Sequence, residues 1–236
     1  MRIGWRHPDE VTVIPDAFDD RQIAPGDRAA ARAALGLPPE APLIVYAGMT
    51  FAYRGLDRLL AAFAGVRAAH PAARLIFVGG RPAEVAGLRQ QARALGLDGA
   101  VTLTGQVPQV EILPYLQAAD LLAIPDTVTD VTASPLKLFE YLAAGRAVVL
   151  PDIPALQEVL PEGIGYYFRR GDTGDLQRAL LAALSDPARA DREQAGRAIV
   201  AAYTYANRAA RILALAEAVA QKYGRMQKEL RMKDGR

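Results

Sequence analysis

Residues 132–151, TASPLKLFEYLAAGRAVVLP, combine a helix start, two opposed charges and a strand in one short stretch. Ser134 supplies a hydroxyl that can cap free helix amides, and Pro135 suits the first helical position because its φ is fixed and it has no N–H. The apolar spacing predicts a helix that ends at Gly145, a common C-terminal stop, and then a buried strand at residues 147–150. The stretch therefore predicts a loop, a helix and a strand in succession.

Lys137 stands in the first turn of this helix, where the positive end of the helix macrodipole disfavours a cation. The three other lysines of the chain all lie in its last fifteen residues. An anion close to Lys137 would remove the conflict, and open helix amides beside a lysine form a ready phosphate site. Glu140, one turn on, is placed to accept hydrogen bonds from sugar hydroxyls. The alternative is a surface ion pair between Lys137 and Glu140 at i,i+3 spacing.

The composition limits the classes of function. The chain has 236 residues, 51% of them hydrophobic and 23% charged, as in a soluble globular protein with a sizeable core. A net charge of +2 without a basic stripe argues against a nucleic-acid partner. The lack of cysteine excludes disulfides, thiolate zinc sites and a cysteine nucleophile. Neither a signal peptide nor a long apolar run is apparent, so we expect a cytoplasmic protein.

Predicted strands and helices alternate along most of the chain, which indicates βαβ units and an α/β fold with a parallel sheet covered on both faces. Such a sheet binds its ligand beyond the carboxyl ends of its strands. The alanine-rich last helix is expected to pack on the sheet. The candidate binding loops are residues 48–55, 79–82, 105–109 and 125–134. The predicted strands are 11–15, 43–47, 74–78, 100–104, 120–124, 147–150 and 166–168, and the predicted helices are 27–35, 56–70, 82–95, 110–118, 134–145, 173–184, 187–202 and 204–223.

Seven segments in order, among them VTVIPDAFD, YRGLDRLLAAF and SPLKLFEYLAAGRAVVLPDIPALQEV, carry a family resemblance. The chain resembles the carboxyl-terminal half of a glycosyltransferase of the GT-B fold, family 4 type. The resemblance implies a Rossmann-like domain that binds a nucleotide-sugar donor over residues 11–224, with a linker at 1–10 and a charged flexible tail at 225–236. It also implies an amino-terminal acceptor half that is missing from this chain. A separate or upstream domain would supply that half, and any peripheral contact with a membrane would be made through it. The resemblance also implies that the last helix can reach back to that half, so that part of its apolar face would be exposed without it.

The resemblance assigns the donor diphosphate to the first binding loop and to the helix that carries Lys137. Gly48 matches the glycine that lets the backbone approach the phosphates. The family usually has an arginine next and a lysine five residues later, where this chain has Met49 and Arg54. One cation is therefore lost and one is changed. Arg54 can hold a phosphate with two hydrogen bonds, and the alternative is a solvated loop arginine.

The stretch at residues 132–151 matches the family in part. Glu140 corresponds to the second of two family glutamates and is assigned to the donor ribose, whereas the first falls on Thr132. SPLK matches a form of this loop that a subset of the family has, in which Lys137 faces the diphosphate. The accompanying donor-binding residues are Ser134, Pro135 and Leu136.

Two further loops complete the expected site. Gly105, Gln106 and Val107 would meet the base through backbone groups, although a tight turn between elements explains the same residues. Asp126 and Asp130 are placed to contact the transferred sugar, but as loop acids we expect them to be solvated.

The implied chemistry is transfer of a sugar from a nucleoside diphosphate donor, a UDP or GDP sugar, with retention of anomeric configuration. Arg54, Lys137 and Glu140 are the expected catalytic residues. No metal and no cofactor are expected, because cations and helix amides stabilise the leaving diphosphate in this fold. One alternative is a non-catalytic nucleotide-sugar binding module, which Met49 and Thr132 favour. Another is a nucleotide-sugar epimerase, which would need acid and base residues that the loops after the strands do not offer.

Overall fold

Six parallel strands form one sheet in the computed structural model, which describes residues 10–126 and 136–233. Their order is β3-β2-β1-β4-β5-β6, so the sheet grows outward in both directions from the neighbouring strands β1 and β4. This is the strand order of the doubly wound fold, and it confirms the predicted Rossmann-like α/β architecture. The strands are β1 (Leu43–Ala47), β2 (Arg74–Val78), β3 (Val101–Leu103), β4 (Leu121–Ala123), β5 (Ala147–Pro151) and β6 (Tyr166–Phe168).

The central strands are apolar throughout because both of their faces are buried. All five residues of β1, LIVYA, are buried, and so are all five of β5, AVVLP. Alternate side chains enter two separate hydrophobic clusters, with Val45 in one and Ile44 in the other. Helices cover both faces, as predicted, because a parallel sheet of this kind exposes neither face to water.

The helices mostly follow the predicted positions. The prolines Pro82 and Pro154 each stand at the first position of a helix, where a missing N–H costs nothing. Two short elements were not predicted, namely a 3-10 turn at Ala52–Arg54 and a helix at Pro154–Gln157. The helices are α1 (Arg28–Ala34), α2 (Leu56–Ala69), α3 (Pro82–Ala94), α4 (Ile112–Ala118), α5 (Leu136–Ala143), α6 (Pro154–Gln157), α7 (Thr173–Ser185), α8 (Arg189–Val200) and α9 (Tyr205–Lys233).

The predicted strand at residues 11–15 is wrong. This segment is irregular, and Val13 has 75% of its surface exposed, so the apolar run is not buried against the sheet. The chain makes its backbone contact further on, where Phe18 forms an isolated bridge with Thr204. The buried side chains of Ala17 and Phe18 therefore anchor this segment in place of the predicted strand.

The last helix does not pack on the sheet as expected. Ile212, Leu213, Val219 and Tyr223 are between 46% and 63% exposed, so the apolar face of α9 is largely open. The helix also continues to Lys233, through most of the segment predicted as a flexible tail. That segment, RMQKELRMK at residues 225–233, consists of strong helix formers, which explains why the helix does not end at residue 223.

A buried carboxylate holds the amino-terminal edge of the sheet together. Asp120, just before β4, accepts hydrogen bonds from the Arg32 guanidinium at 2.6 Å and from the backbone N–H of Leu43 at 2.8 Å. Arg32 is only 4% exposed, and it also donates to the carbonyl of Ala118. Asp120 thus joins α1, β1 and β4 at the edge opposite the candidate site.

Candidate functional site

The candidate site lies where β1 and β4 end side by side, at the point where the strand order reverses. Gly48 follows β1 directly and has a φ of +138°, a conformation that L side chains rarely adopt. A Cβ built on Gly48 would lie 2.2 Å from Nζ of Lys137. The glycine is therefore required by its backbone conformation, and a Cβ at this position would also displace the ammonium group above it.

Lys137 reaches this point from the first turn of α5. It is half-buried, and its ammonium group donates a hydrogen bond to the carbonyl of Ala47, the last residue of β1. The ammonium lies 4.7 Å from the ring centroid of Tyr46 and 5.8 Å from that of Tyr141. Burial lowers the pKa of Lys137 to about 8. The ammonium group thus has a backbone carbonyl as its hydrogen-bond partner, whereas the alternative of a surface ion pair expected the carboxylate of Glu140.

Glu140 and Arg54 lie around the same space. Burial raises the pKa of Glu140, while the charge of Lys137 lowers it. The pKa of Lys137 responds in turn to both neighbours, because Glu140 raises it and Arg54 lowers it. The charges of Glu140 and Arg54 therefore both act on Lys137, although Arg54 belongs to the loop after β1 and the other two residues belong to α5.

Arg54 is held by few contacts. Its guanidinium stacks over the Tyr53 ring at 5.2 Å from the centroid, and its buried Nε finds no hydrogen-bond acceptor within the described part of the chain. A guanidinium with unused donors beside Lys137 suits an anionic ligand better than a solvated loop position does.

The loop after β3 lies at the same edge of the sheet. Gly105 has a φ of +69°, and its carbonyl accepts a 3.0 Å hydrogen bond from the N–H of Gly79. Gln106 is exposed, and Val107 packs against the core. The contact of this loop with a nucleotide base stays a prediction, but its backbone is fixed at the expected edge.

Asp126 is not the solvated loop acid that we expected. It is 8% exposed, and its carboxylate is paired with two arginines that the sequence did not single out. Arg170, after β6, donates to it at 2.7 Å, and Arg58, in the first turn of α2, donates to its other oxygen. Only the tertiary structure brings these three residues together, since they are distant in the chain.

A family model described as Glycosyl transferases group 1 matches residues 27–200. The chain belongs to this family. The match includes every described element of the candidate site, from Gly48 to Glu140, so the group 1 family and the predicted resemblance agree.

Relatives of this group 1 chain are considerably longer than the chain itself. It is 37% identical over 152 residues to a D-inositol 3-phosphate glycosyltransferase of Segniliparus rotundus, a match that covers 63% of the chain and 33% of that enzyme. The structure of sucrose-phosphate synthase from Thermosynechococcus elongatus superposes with a TM-score of 0.77 and 26% identity, over 89% of the chain and 53% of the synthase. Anabaena Alr3699/HepE, solved in complex with UDP and glucose, has the same fold, with a TM-score of 0.74 and 21% identity over 92% of this chain and 58% of that one.

Part of the predicted group 1 site lies outside the described residues. Asp130, Thr132, Ser134 and Pro135 belong to residues 127–135 and are not described. Leu136, the first described residue of α5, is 42% exposed.

Met49 is 42% exposed and stands where the family usually has an arginine. Its carbonyl accepts a hydrogen bond from the hydroxyl of Tyr46, so the loop backbone is tied down without the cation. The cation that the structure places against Gly48 is the ammonium group of Lys137.

Residues 10–126 and 136–233 contain neither a cluster of metal-binding side chains nor a helix that could span a membrane. No group of three histidine, aspartate or glutamate side chains is arranged to hold a metal ion. No helix combines the length and the apolar character that crossing a membrane requires.

Replacing Gly48 with alanine is expected to destabilise the protein by about 1–3 kcal/mol, because the positive φ is strained for any L side chain and the Cβ displaces Lys137. Thermal unfolding measures this loss. Gly87→Ala is the matched control. Gly87 lies inside α3 with nothing near a built Cβ, so the same substitution there is expected to stabilise by about 0.5–1 kcal/mol. A Gly48→Ala protein as stable as the unchanged chain would contradict the close approach.

Proposed function

We propose that this chain is the donor-binding domain of a retaining glycosyltransferase, and that it binds a nucleoside diphosphate sugar at the edge formed by Gly48, Lys137 and Glu140. The observation that carries the proposal is the position of Lys137. Its buried ammonium group lies over a glycine at the switch point of a parallel sheet, the place where such sheets bind their ligands. Membership of the group 1 family supports the same role.

The proposed diphosphate position follows from the charges around Gly48. A residue without a side chain lets the ligand approach the backbone. Lys137 supplies a cation from α5, and Arg54 supplies one from the first binding loop. These cations would stabilise the negative charge that develops on the leaving diphosphate. The proposal therefore needs neither a metal nor a cofactor. Glu140 would accept hydrogen bonds from the ribose hydroxyls.

The acceptor would be bound by a second domain. The chain covers 33% of the length of the Segniliparus enzyme, so most of that relative has no counterpart here. We propose that an upstream or separate polypeptide supplies the acceptor site and any peripheral contact with a membrane. The complete protein would act in the cytoplasm, where nucleotide sugars are available.

Isothermal titration with UDP, GDP and ADP tests the donor proposal. We expect one of the three to bind to the isolated chain, and its sugar conjugates to bind at the same site. UDP is tried first, because Alr3699/HepE, which shares the fold, was solved with UDP. If none of the three nucleotides binds, the proposal fails for this chain on its own.

Replacing Glu140 with glutamine is expected to weaken binding of the preferred nucleotide by about 1 kcal/mol, because a charge-assisted acceptor for the ribose is lost. Titration of the variant measures the loss. An analogue without ribose hydroxyls should bind the variant and the unchanged protein equally. Glu158→Gln, an exposed glutamate next to α6, is the control and should change neither affinity. An equal loss with the analogue would place Glu140 elsewhere than at the ribose.

A second candidate is a non-catalytic nucleotide-sugar binding module, which the exposed Met49 favours because one family cation is absent. Met49→Arg separates the two. A donor site that uses the remaining cations for transfer should gain nucleotide affinity from the added arginine. A module that contacts only the ribose and the base, and not the diphosphate, should bind the nucleotide with unchanged affinity.

A further inference from the structure

The pairing between β1 and β4 ends before β1 does, next to the candidate site. In β1 the backbone N–H and carbonyl groups of successive residues point alternately toward β4 and toward β2. The carbonyl of Leu43 accepts a hydrogen bond from the N–H of Asp120, beside β4, whereas the N–H of Gly48 donates to the carbonyl of Val78 in β2. Ala47 therefore faces β4. The β1–β4 pairing is limited to Ile44 and Val45, and β4 ends at Ala123. Beyond it the N–H of Ile124 donates to Val149 of β5, so none of the described strands pairs with the N–H and carbonyl of Ala47.

Two side chains of α5 occupy this gap. The hydroxyl of Tyr141 accepts a hydrogen bond from the N–H of Ala47 at 2.8 Å and lies 3.3 Å from the Ala47 carbonyl, to which it can also donate. Lys137 donates to the same carbonyl. One carbonyl oxygen thus has two donors within reach, and both come from neighbouring turns of one helix at i,i+4 spacing.

We propose that Tyr141 is a positioning residue that allows Lys137 to leave the Ala47 carbonyl for a donor diphosphate. The inference rests on the proposed donor function. When the ammonium moves to the phosphates, the Tyr141 hydroxyl takes over the carbonyl, so the strand end keeps its hydrogen bonds. Without that hydroxyl, the same movement would leave a buried carbonyl unsatisfied, which is costly.

The groups around Lys137 make such a movement favourable. Burial lowers the pKa of Lys137 more than the charge of Glu140 raises it, and Arg54 lowers it further, so the ammonium group is poorly stabilised in this position. Burial raises the pKa of both Tyr46 and Tyr141, so neither ring becomes a counter-ion. A diphosphate would supply the missing negative charge.

The lysines themselves provide the measurement. The chain contains only four, so ¹³C labelling of the lysine ε-carbons yields a spectrum in which Lys137→Met identifies the signal of Lys137. We expect that signal to titrate at about pH 8 in the free protein. Saturation with whichever of UDP, GDP and ADP binds tightest should raise its midpoint by roughly one pH unit or more, as contact with an opposite charge does.

Tyr141→Phe removes only the hydroxyl. Lys137 should then be held more firmly by Ala47, so its midpoint in the free protein rises and nucleotide binding weakens by about 3- to 10-fold, the effect of one net hydrogen bond. Tyr167→Phe is the matched control. Its hydroxyl also donates to a backbone carbonyl, that of Leu160, but it lies on β6 away from Lys137. This variant should change neither the midpoint nor the affinity, and it should lose less stability than Tyr141→Phe, which also removes the acceptor of the Ala47 N–H.

The outcomes separate the two proposals. A nucleotide that binds without moving the Lys137 midpoint, or that binds Tyr141→Phe as tightly as the unchanged protein, would overturn the role of Tyr141 and leave the donor function standing. A Lys137 midpoint near 8 that rises in Tyr141→Phe, together with no binding of any of the three nucleotides, would instead overturn the donor function and with it the transfer to a diphosphate.

Discussion

Replacing Lys137 with methionine is expected to stabilise the protein at pH 7 by about 1–3 kcal/mol and to weaken nucleoside diphosphate binding by about 10- to 100-fold. Methionine keeps the length of the side chain and removes the buried charge. The gain in stability and the loss of binding have one cause. The desolvated ammonium group destabilises the nucleotide-free protein, and a bound diphosphate would stabilise it. Chemical denaturation and isothermal titration measure the two effects.

The pH dependence of the stability difference between Lys137→Met and the unchanged protein gives a sharper test. The pKa of Lys137 is about 8 in the folded protein, below the value of roughly 10.4 expected for an unfolded chain. Between these two pH values the unfolded state binds more protons than the folded state, so the free energy of unfolding rises as the pH increases from about 8 to about 10. Below pH 8 Lys137 is protonated in both states, and the full destabilisation by its desolvated charge is present. The stability difference between Lys137→Met and the unchanged protein should therefore shrink over that window. Lys222→Met, an exposed lysine of α9, should show neither the stabilisation nor the pH-dependent difference.

Replacing Asp120 with asparagine is expected to destabilise the protein by about 3–5 kcal/mol, because it leaves the buried Arg32 without its counter-ion. Arg28 and Arg189 also approach this carboxylate, at 3.5 and 3.9 Å, so more than one cation loses a partner. Asparagine retains the shape of the side chain and an acceptor for the Leu43 N–H. The loss of stability therefore measures the effect of removing the negative charge. Urea denaturation measures it.

The control for Asp120→Asn is Asp98→Asn. Asp98 lies 3.5 Å from Arg93 in a pair whose side chains are 70% and 66% exposed, and such surface pairs contribute about 0–1 kcal/mol. Asp120 lies at the amino ends of the strands, opposite Gly48. Folded Asp120→Asn should therefore bind the nucleotide with unchanged affinity, and a similar small loss in both variants would refute the charge-based explanation.

Local sequence patterns were sufficient to predict the sheet and the edge where the site lies. The continuous apolar runs of β1 and β5 and the helical spacing of α2 and α5 are short-range signals, and each matched its element. The failures occurred where burial depends on distant partners. Within the described residues, the segment 11–15 pairs with no strand, and four apolar side chains of α9 are largely exposed instead of packing on the sheet.

The sequence by itself determined that Gly48, Lys137 and Glu140 share one edge, because the carboxyl ends of parallel strands and the helix that follows β4 must lie together. Only the tertiary structure decided how those groups are used. The decisive contacts join residues that are distant in the chain. Lys137 and Tyr141 both donate to the carbonyl of Ala47. Asp126 pairs with Arg58 and Arg170. Periodicity and spacing report only near neighbours, so the partners of a buried charge emerge only when the sheet assembles around it.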